Sequence, residues 1–462
     1  MNTLCNHVLR HPAPLLFTAL LWLVSCTAST SNNPGTDSGT DGQSDHITID
    51  GGLDITDSAA DITDATGDGD VTDDATLTIE QLPLRGTGTG ESILIVGPDG
   101  TRILMDTGND SHGDEILDIL DARFGERIIE WVILTHYHSD HIGAFDNLFV
   151  PGSSNGNNPV IVTRGFIIRG LYDVGTDMLG GDFQEMCEAL TSSQLSGMVY
   201  SLCTGDFAAP CSASDGHDPW PSSGCPGLLW GNMEDPSDDD SGAVTWIPLG
   251  SGARLYFFNG NAHIALSGEV HSAETEGITV GYGDVDPENA RSLGGIIRWG
   301  NFSYLFNGDL TGAGDDESPP IEGFYAGYAD LLLEYPGGPG LIPAGSVDTA
   351  HISHHGYTSS TSEAWVDWIL PPDSATRNGL LGSNMYYYRS PTNTVMDRLA
   401  PRLGDGYVWT PQKGTLSSGN DKLRVVGASV MVQVTHGGAQ YQIFGYDGLN
   451  ATLTESYTST IP

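Results

Sequence analysis

The stretch "VILTHYHSDHIGAF", residues 132–145, decides the reading of this chain. Three histidines and one aspartate fall within six residues, directly behind an apolar run, in a sequence with only 14 histidines. His136 and His138 are two apart, so in extended backbone both face the same way. Asp140 and His141 come round with the turn that follows. Imidazole nitrogens suit zinc, and a carboxylate in the same cluster suits a second divalent ion. Four donors are too few for two complete coordination shells, so other segments must supply more.

The chain has 462 residues, enough for one large domain or two modest ones. Its charge is lopsided, with 17 Lys+Arg against 60 Asp+Glu and a formal net charge of -43. Such a chain repels polyanions at long range. The cations that neutralise phosphates are scarce, which disfavours long nucleic acid as a partner. A small-molecule or cell-envelope substrate is compatible with this charge.

The N-terminus reads as a targeting segment. Arg10 is followed by the apolar run "LLFTALLWLVSC", residues 15–26, too short to span a bilayer and suited to a signal h-region. Its end, "LVSC", resembles the bacterial lipobox. That resemblance implies a lipoprotein signal peptide over 1–25 and lipid on Cys26, which anchors stably when more than one acyl chain is attached. An ordinary signal peptide cut near "CTAS" is the alternative. Either way the protein is exported; with the lipid it sits on the cell envelope, periplasmic or at the cell surface. Oligomeric state is not legible.

Four cysteines then remain, Cys187, Cys203, Cys211 and Cys225, within 39 residues. An even number in an exported chain predicts two disulfides, with three possible connectivities. No C-x2-C pair is present, which argues against a four-cysteine zinc knot.

Residues 26–75 are rich in Asp, Thr, Ser and Gly and predict a disordered, self-repelling tether. Within it "DATGDGDVTDDA" is a poor calcium loop, because Thr66 and Ala75 stand at ligand positions. Order is expected from about 76 to 445. "SILIVGPDGTRILMDTG" reads as two strands joined by a Pro-Asp-Gly turn. "DEILDILDARF" (114–124) has a helical period, "IIEWVIL" reads as a buried strand, and a short helix should run through "IGAFDNLF". "ARLYFFNG", "GGIIRWGNFSYLFNGD", "VDTAHISHHG", "YVWTP" and "ASVMVQVTHGGAQYQIFGY" continue the pattern, so the class is α/β in layers. Residues 170–245 differ, being Ser-, Gly-, Asp-, Pro- and Trp-rich, and predict a disulfide-rich insertion over the site. Residues 446–462 are expected as a tail.

"THYHSDHIG" resembles the T-H-x-H-x-D-H-x-G signature of the metallo-β-lactamase superfamily at every fixed position. "MDTG" puts Asp106 where that superfamily has an aspartate after a strand. "FNGD" puts Asp309 at its metal-bridging carboxylate. "HHGYTSS" resembles the H-H-G-S of the competence-type branch, the hydrolase domain of DNA-uptake proteins and their secreted relatives, and of the phosphorylcholine esterases. "YYYRSPTNTVMDRL" resembles the segment that follows there, with Arg389-Ser390 in place of Gly-His.

The resemblance implies a four-layer αββα metallo-β-lactamase fold and two zinc ions, with manganese or iron as substitutes. It implies metal ligands His136, His138, Asp140, His141, Asp309 and His355, plus a middle histidine. Candidates for the last are His217, His263 and His271; His263 is chosen, because "LYFFNGNAHI" puts a strand and a Gly turn before it. His351 reads as packed within its strand. Asp140 would also orient the attacking water, and His354 would contact substrate or the transition state, although the roles of His354 and His355 could be exchanged. The implied activity is hydrolysis of phosphodiester or phosphoester bonds. Alternatives are a β-lactamase-like amide or ester hydrolase, and a non-catalytic metal-binding surface protein that uses Trp220, Trp230 and Trp246 on a partner.

Overall fold

The computed structural model describes residues 75–85, 89–152, 158–163, 168–170, 181–190, 202–204, 246–260, 262–266, 269–280, 288–312, 320–328, 347–372, 375–382, 390–414, 420–448 and 450–459. The expected signal peptide, Cys26, the tether, Cys211, His217, Trp220, Trp230 and Cys225 lie outside them. So does Arg389.

β1 (Leu77–Gln81), β2 (Ile93–Val96) and β3 (Arg102–Met105) form an antiparallel meander. Gly100 in the Pro-Asp-Gly turn takes φ +89°, a conformation that favours glycine. The helix α1 (Gly113–Phe124) follows with Ile116, Leu117 and Leu120 buried, one face at helical spacing. "IIEWVIL" makes two strands instead of one. β4 (Ile128–Ile129) ends at Glu130, whose amide bonds Arg102, and β5 (Trp131–Ile133) runs parallel to β3. The short helices α2 (Ser139–Ile142) and α3 (Phe145–Phe149) come next.

β6 (Ile161–Val162) pairs with β4. Within the region expected as an insertion, β7 (Ile168–Gly170) pairs with β8 (Leu202–Thr204), and α4 (Gly181–Leu190) lies between them in sequence. Cys187 falls on α4 and Cys203 on β8; the expected disulfides concern side chains outside those described. Phe183 and Met186 of α4 are buried with Tyr137 and Phe149.

The second sheet begins with β9 (Trp246–Gly250), β10 (Ala253–Gly260), β11 (His263–Leu266) and β12 (Glu269–Ser272). β13 (Gly294–Trp299) and β14 (Phe302–Phe306) are antiparallel. Then α5 (Ile321–Ala326), β15 (Thr349–His351), α6 (Glu363–Ile369), β16 (Asn378–Leu380), α7 (Asn393–Leu399), β17 (Val408–Thr410) and β18 (Leu423–Val425) alternate, and β14 to β18 pair in parallel. The chain returns to the first sheet with β19 (Ser429–Thr435) and β20 (Gln440–Tyr446).

Residues 446–462 are not simply a tail. β21 (Ala451–Thr458) adds to β20 as the edge strand of the first sheet, with Tyr457 stacked on Tyr441 at 5.1 Å. Its polar alternation hid it, because an edge strand with one solvated face needs few apolar residues.

Strand alternation sorts the side chains into separate cores. Ile79, Ile93, Ile95, Ile103 and Met105 point into one core with Leu255, Phe257, Trp299 and Phe306 of the other sheet. Leu94, Leu104 and Val132 point the opposite way, onto α1 and α3. Ile296, Leu305 and Ala350 pack against Trp365, Val366, Val395 and Met396 of α6 and α7. Helices, sheet, sheet and helices are thus stacked in that order.

Candidate metal centre

Four strands end at the site. Asp106 follows β3, the histidine run follows β5, Asp309 follows β14, and His354 and His355 follow β15. Strands of one sheet that end together deliver loop residues to one place, and β3–β5 and β14–β15 are parallel neighbours. The loops are held in unusual backbone. Asp106, His354 and His355 have φ of 60°, 50° and 50°, and Gly356 has 74°. Non-glycine residues in that region cost about 1–3 kcal/mol each, a strain found at functional sites. Gly308 lets the next residue come close, since a Cβ there would lie 2.9 Å from the Cβ of Thr135.

Asp309 is the centre of the cluster and is 2% exposed. Its Oδ1 lies 3.3 Å from His141 Nε2. Its Oδ2 lies 3.5 Å from His355 Nε2, 3.9 Å from His354 Nε2 and 4.0 Å from His136 Nε2. His136 Nε2 is 3.1 Å from His138 Nδ1. His355 Nε2 is also 3.2 Å from Asp140 Oδ2, which accepts from the Thr89 hydroxyl at 2.8 Å. Residues as far apart in sequence as His136 and His355 are therefore gathered round one carboxylate.

Asp106 stands behind His141. Its Oδ2 lies 2.8 Å from His141 Nδ1, and its two oxygens accept from the amide and hydroxyl of Thr135, each at 2.7 Å. A carboxylate on Nδ1 fixes the ring so that Nε2 faces Asp309, which is how ligating histidines are oriented.

The buried carboxylates and imidazoles of the cluster shift one another's charge. Burial alone would discharge His141, but Asp309 and Asp106 outweigh it and hold the ring protonated well above the usual range. Burial likewise opposes charge on His355, yet Asp309 and Asp140 raise its pKa to about 9. Burial would raise Asp309, but His141, His355 and His354 hold it well below the carboxylate range. Asp140 is depressed in the same way by His355 and His141. His136 behaves oppositely: burial and the neighbouring His141 and His138 keep it neutral.

The donor set fits metal. Glu91, His141, Asp309 and His355 each offer one ligand atom, all within 4.8 Å of one another and all buried. Among the described residues, Asp309 Oδ1 and His141 Nε2 are buried without a hydrogen-bond partner of good geometry. Buried polar atoms are nearly always satisfied, so such a group calls for an ion. His136, His138, Asp140, His141, Asp309 and His355 all meet here, as does His354.

His263 opens β11, half-buried, and is not among the imidazoles in described contact with Asp309. His271 lies on β12, its ring centroid 4.4 Å from that of Tyr328 and its Nδ1 3.8 Å from Glu276 Oε1. His354 sits at the rim, its side chain 21% exposed, with Nε2 3.2 Å from Asn289 Nδ2 and Nδ1 3.0 Å from Ser359 Oγ. His351 is buried as expected, but it is more than packing. Its Nε2 lies 2.5 Å from Glu91 Oε1 and its Nδ1 3.0 Å from Asn307 Oδ1. Glu91, Asn289 and Thr89 were not legible as site residues. None carries a local spacing signal, although Thr135 stood in the signature itself.

Residues 85–149 match the family model described as the Metallo-beta-lactamase superfamily. That span contains Glu91, Asp106 and the whole histidine run. No curated protein matches the chain. Among solved structures it is similar to Tm1679, described as a metal-dependent hydrolase of the beta-lactamase superfamily, at 12% identity and a TM-score of 0.32, over 72% of this chain and 95% of that one. It is also similar to a metallo-beta-lactamase with a HARLDQ motif from Cronobacter sakazakii, at 14% identity and 0.22, over 49% and 58%. A variant of the CmlA beta-hydroxylase matches at 15% and 0.28, over 72% and 45%. Likenesses this distant carry no argument about activity. The superfamily match and the buried cluster support a metal-dependent hydrolase.

Proposed function

We propose that the protein is an exported, lipid-anchored binuclear metal hydrolase of phosphoester or phosphodiester bonds. The observation that carries this is Asp309, one buried carboxylate with imidazoles on both sides. His136 and His138, with His263 as the expected third imidazole, would hold one ion. Asp140, His141 and His355 would hold the other, and Asp309 would be shared. Zinc suits the imidazole-rich half. Bound divalent ions would bring a water's pKa toward neutrality and polarise the oxygen of the scissile bond.

The chain's own groups do the rest. Asp106 keeps His141 in its ligating tautomer. Thr89 steadies Asp140, which is placed to orient the attacking water. His354, at the rim and held by Asn289 and Ser359, is placed to meet charge that develops on substrate oxygen. The "HHG" turn supports the phosphoesterase reading through its resemblance to the H-H-G-S of the competence-type and phosphorylcholine esterase branches. The acidic surface favours a small or envelope-bound substrate over long nucleic acid.

Protein lacking residues 1–75 should carry close to two divalent ions per chain and turn over a chromogenic phosphodiester, with activity lost to chelator and restored by metal. Preferential turnover of a β-lactam or a carboxylic ester would move the substrate class to the amide and ester side. Metal without any turnover would leave a binding protein.

A further inference from the structure

Glu91 stands two residues before β2 at the end of a Gly-rich stretch and is 1% exposed. Among the described residues its oxygens receive no hydrogen bond from a backbone amide or a hydroxyl. A carboxylate left so in a buried place must face positive charge. On one side it meets His351, with Oε1 2.5 Å from Nε2. The other nitrogen of His351 lies 3.0 Å from Asn307 Oδ1, and Asn307 Nδ2 donates to Ser353 Oγ at 2.7 Å. The amide is thereby oriented, with Oδ1 accepting from His351 Nδ1. On its other side Glu91 has one oxygen in the group with His141, Asp309 and His355.

We propose that Glu91 is a metal ligand, completing with His141, Asp309 and His355 the shell of one ion, while His351 braces the carboxylate from behind. The inference deepens the hydrolase reading and rests on it. Bonds of about 2.0–2.2 Å put any two donors of one zinc no more than about 4.4 Å apart. Donors within 4.8 Å of one another need a contraction of about half an ångström to reach that. Ligating carboxylates are in turn held by outer hydrogen-bonding partners, and His351 occupies that position.

Asp140 adds a further carboxylate, 3.2 Å from His355 Nε2. The ion would then meet three carboxylates and two imidazoles. An oxygen-rich shell of more than four donors suits manganese or iron(II) better than tetrahedral zinc. The two halves of the site would thus differ in metal preference, with the half that holds Glu91 the harder one.

The test is Glu91→Gln, which keeps the shape and removes the charge. Metal-stripped wild type and variant are titrated with Mn²⁺ and with Zn²⁺ against a chromogenic chelator, loaded with Co²⁺ for visible absorption, and melted with and without metal. One of the two sites should weaken by about 10- to 100-fold, as for loss of a fixed donor or its support, and more for Mn²⁺ than for Zn²⁺. The other should stay within about twofold, and the cobalt spectrum should change. Metal should raise the Tm of the variant less than it raises that of wild type. Two ions bound at wild-type affinity with an unchanged cobalt spectrum would overturn the assignment. A lower metal-free Tm with unchanged metal affinity would overturn it too and make Glu91 a structural partner of His351. Wild type that takes up no divalent ion would instead sink the metal reading of the whole site. Should Glu91→Gln not fold, Glu91→Asp decides the same point: withdrawing the carboxylate by one methylene weakens the site if it ligates and leaves affinity unchanged if it does not.

Discussion

Asp106→Asn tests whether His141 is held in one tautomer by design of its surroundings. Asp106 Oδ1 accepts the Thr135 amide at 2.7 Å, and that donor cannot move. In the variant the amide oxygen must stay at this position, so Nδ2 takes the place of Oδ2, facing the Thr135 hydroxyl and His141 Nδ1. The hydroxyl can turn and accept. The imidazole can accept only by moving its proton to Nε2, the nitrogen 3.3 Å from Asp309 Oδ1. A ring protonated there offers no lone pair to an ion. The lost interaction is one hydrogen bond to a charged acceptor, about 1.5–3 kcal/mol. At about 1.4 kcal/mol per decade this is about 10- to 100-fold in metal affinity, the range expected when an outer partner of a ligand is removed. The φ of 60° is no obstacle, since Asn adopts it as readily as Asp. Chelator competition on folded variant, with circular dichroism as the fold control, gives the answer. Binding within about threefold of wild type would refute the reasoning, because the tautomer would then not depend on Asp106.

His355→Ala should lower metal content and turnover together, whereas His354→Ala should leave metal content unchanged and cut kcat by on the order of 10²-fold with little change in KM. Zinc stoichiometry and steady-state kinetics on both separate the roles, and the opposite pattern exchanges them. In the metal-free protein the pKa of His355, raised from 6.5 to about 9, stabilises the fold fully below about pH 6.5 and is lost as pH rises through about 9. That is worth about 3 kcal/mol at about 1.36 kcal/mol per pH unit, read from denaturant melts at both ends of the window. His355→Ala should flatten the slope, and a melt indifferent to pH would refute the assignment. Cys26→Ser should move the protein from membranes to a soluble exported fraction; a variant as membrane-bound as the parent would remove the lipid anchor.

The histidine run was legible because its information is local. Two-residue spacing after an apolar strand places His136 and His138 on one side, and the turn brings Asp140 and His141 round, whatever the rest of the chain does. Asp309 and the "HHG" turn were legible through the superfamily resemblance, each matching a short motif that closes a strand with a glycine beside it. The alternating strands of β2, β3, β13 and β14 declared two buried faces through their apolar content. Glu91, Asn289 and the bracing role of His351 were not legible, and neither was β21. Glu91 lies 50 residues before His141 in a stretch without periodicity, and it reaches the cluster only because β2 and β3 pair and turn its end of the sheet toward β14 and β15. His351 alternates inward on its strand as any core residue would, and only the sheet's tertiary neighbours turn that burial into a contact with Glu91. Spacing along the chain determines which residues can act together within one loop. Which loops meet, and which buried charge faces which imidazole, is decided by strand order and by the electrostatic need to pair every carboxylate that folding takes out of water.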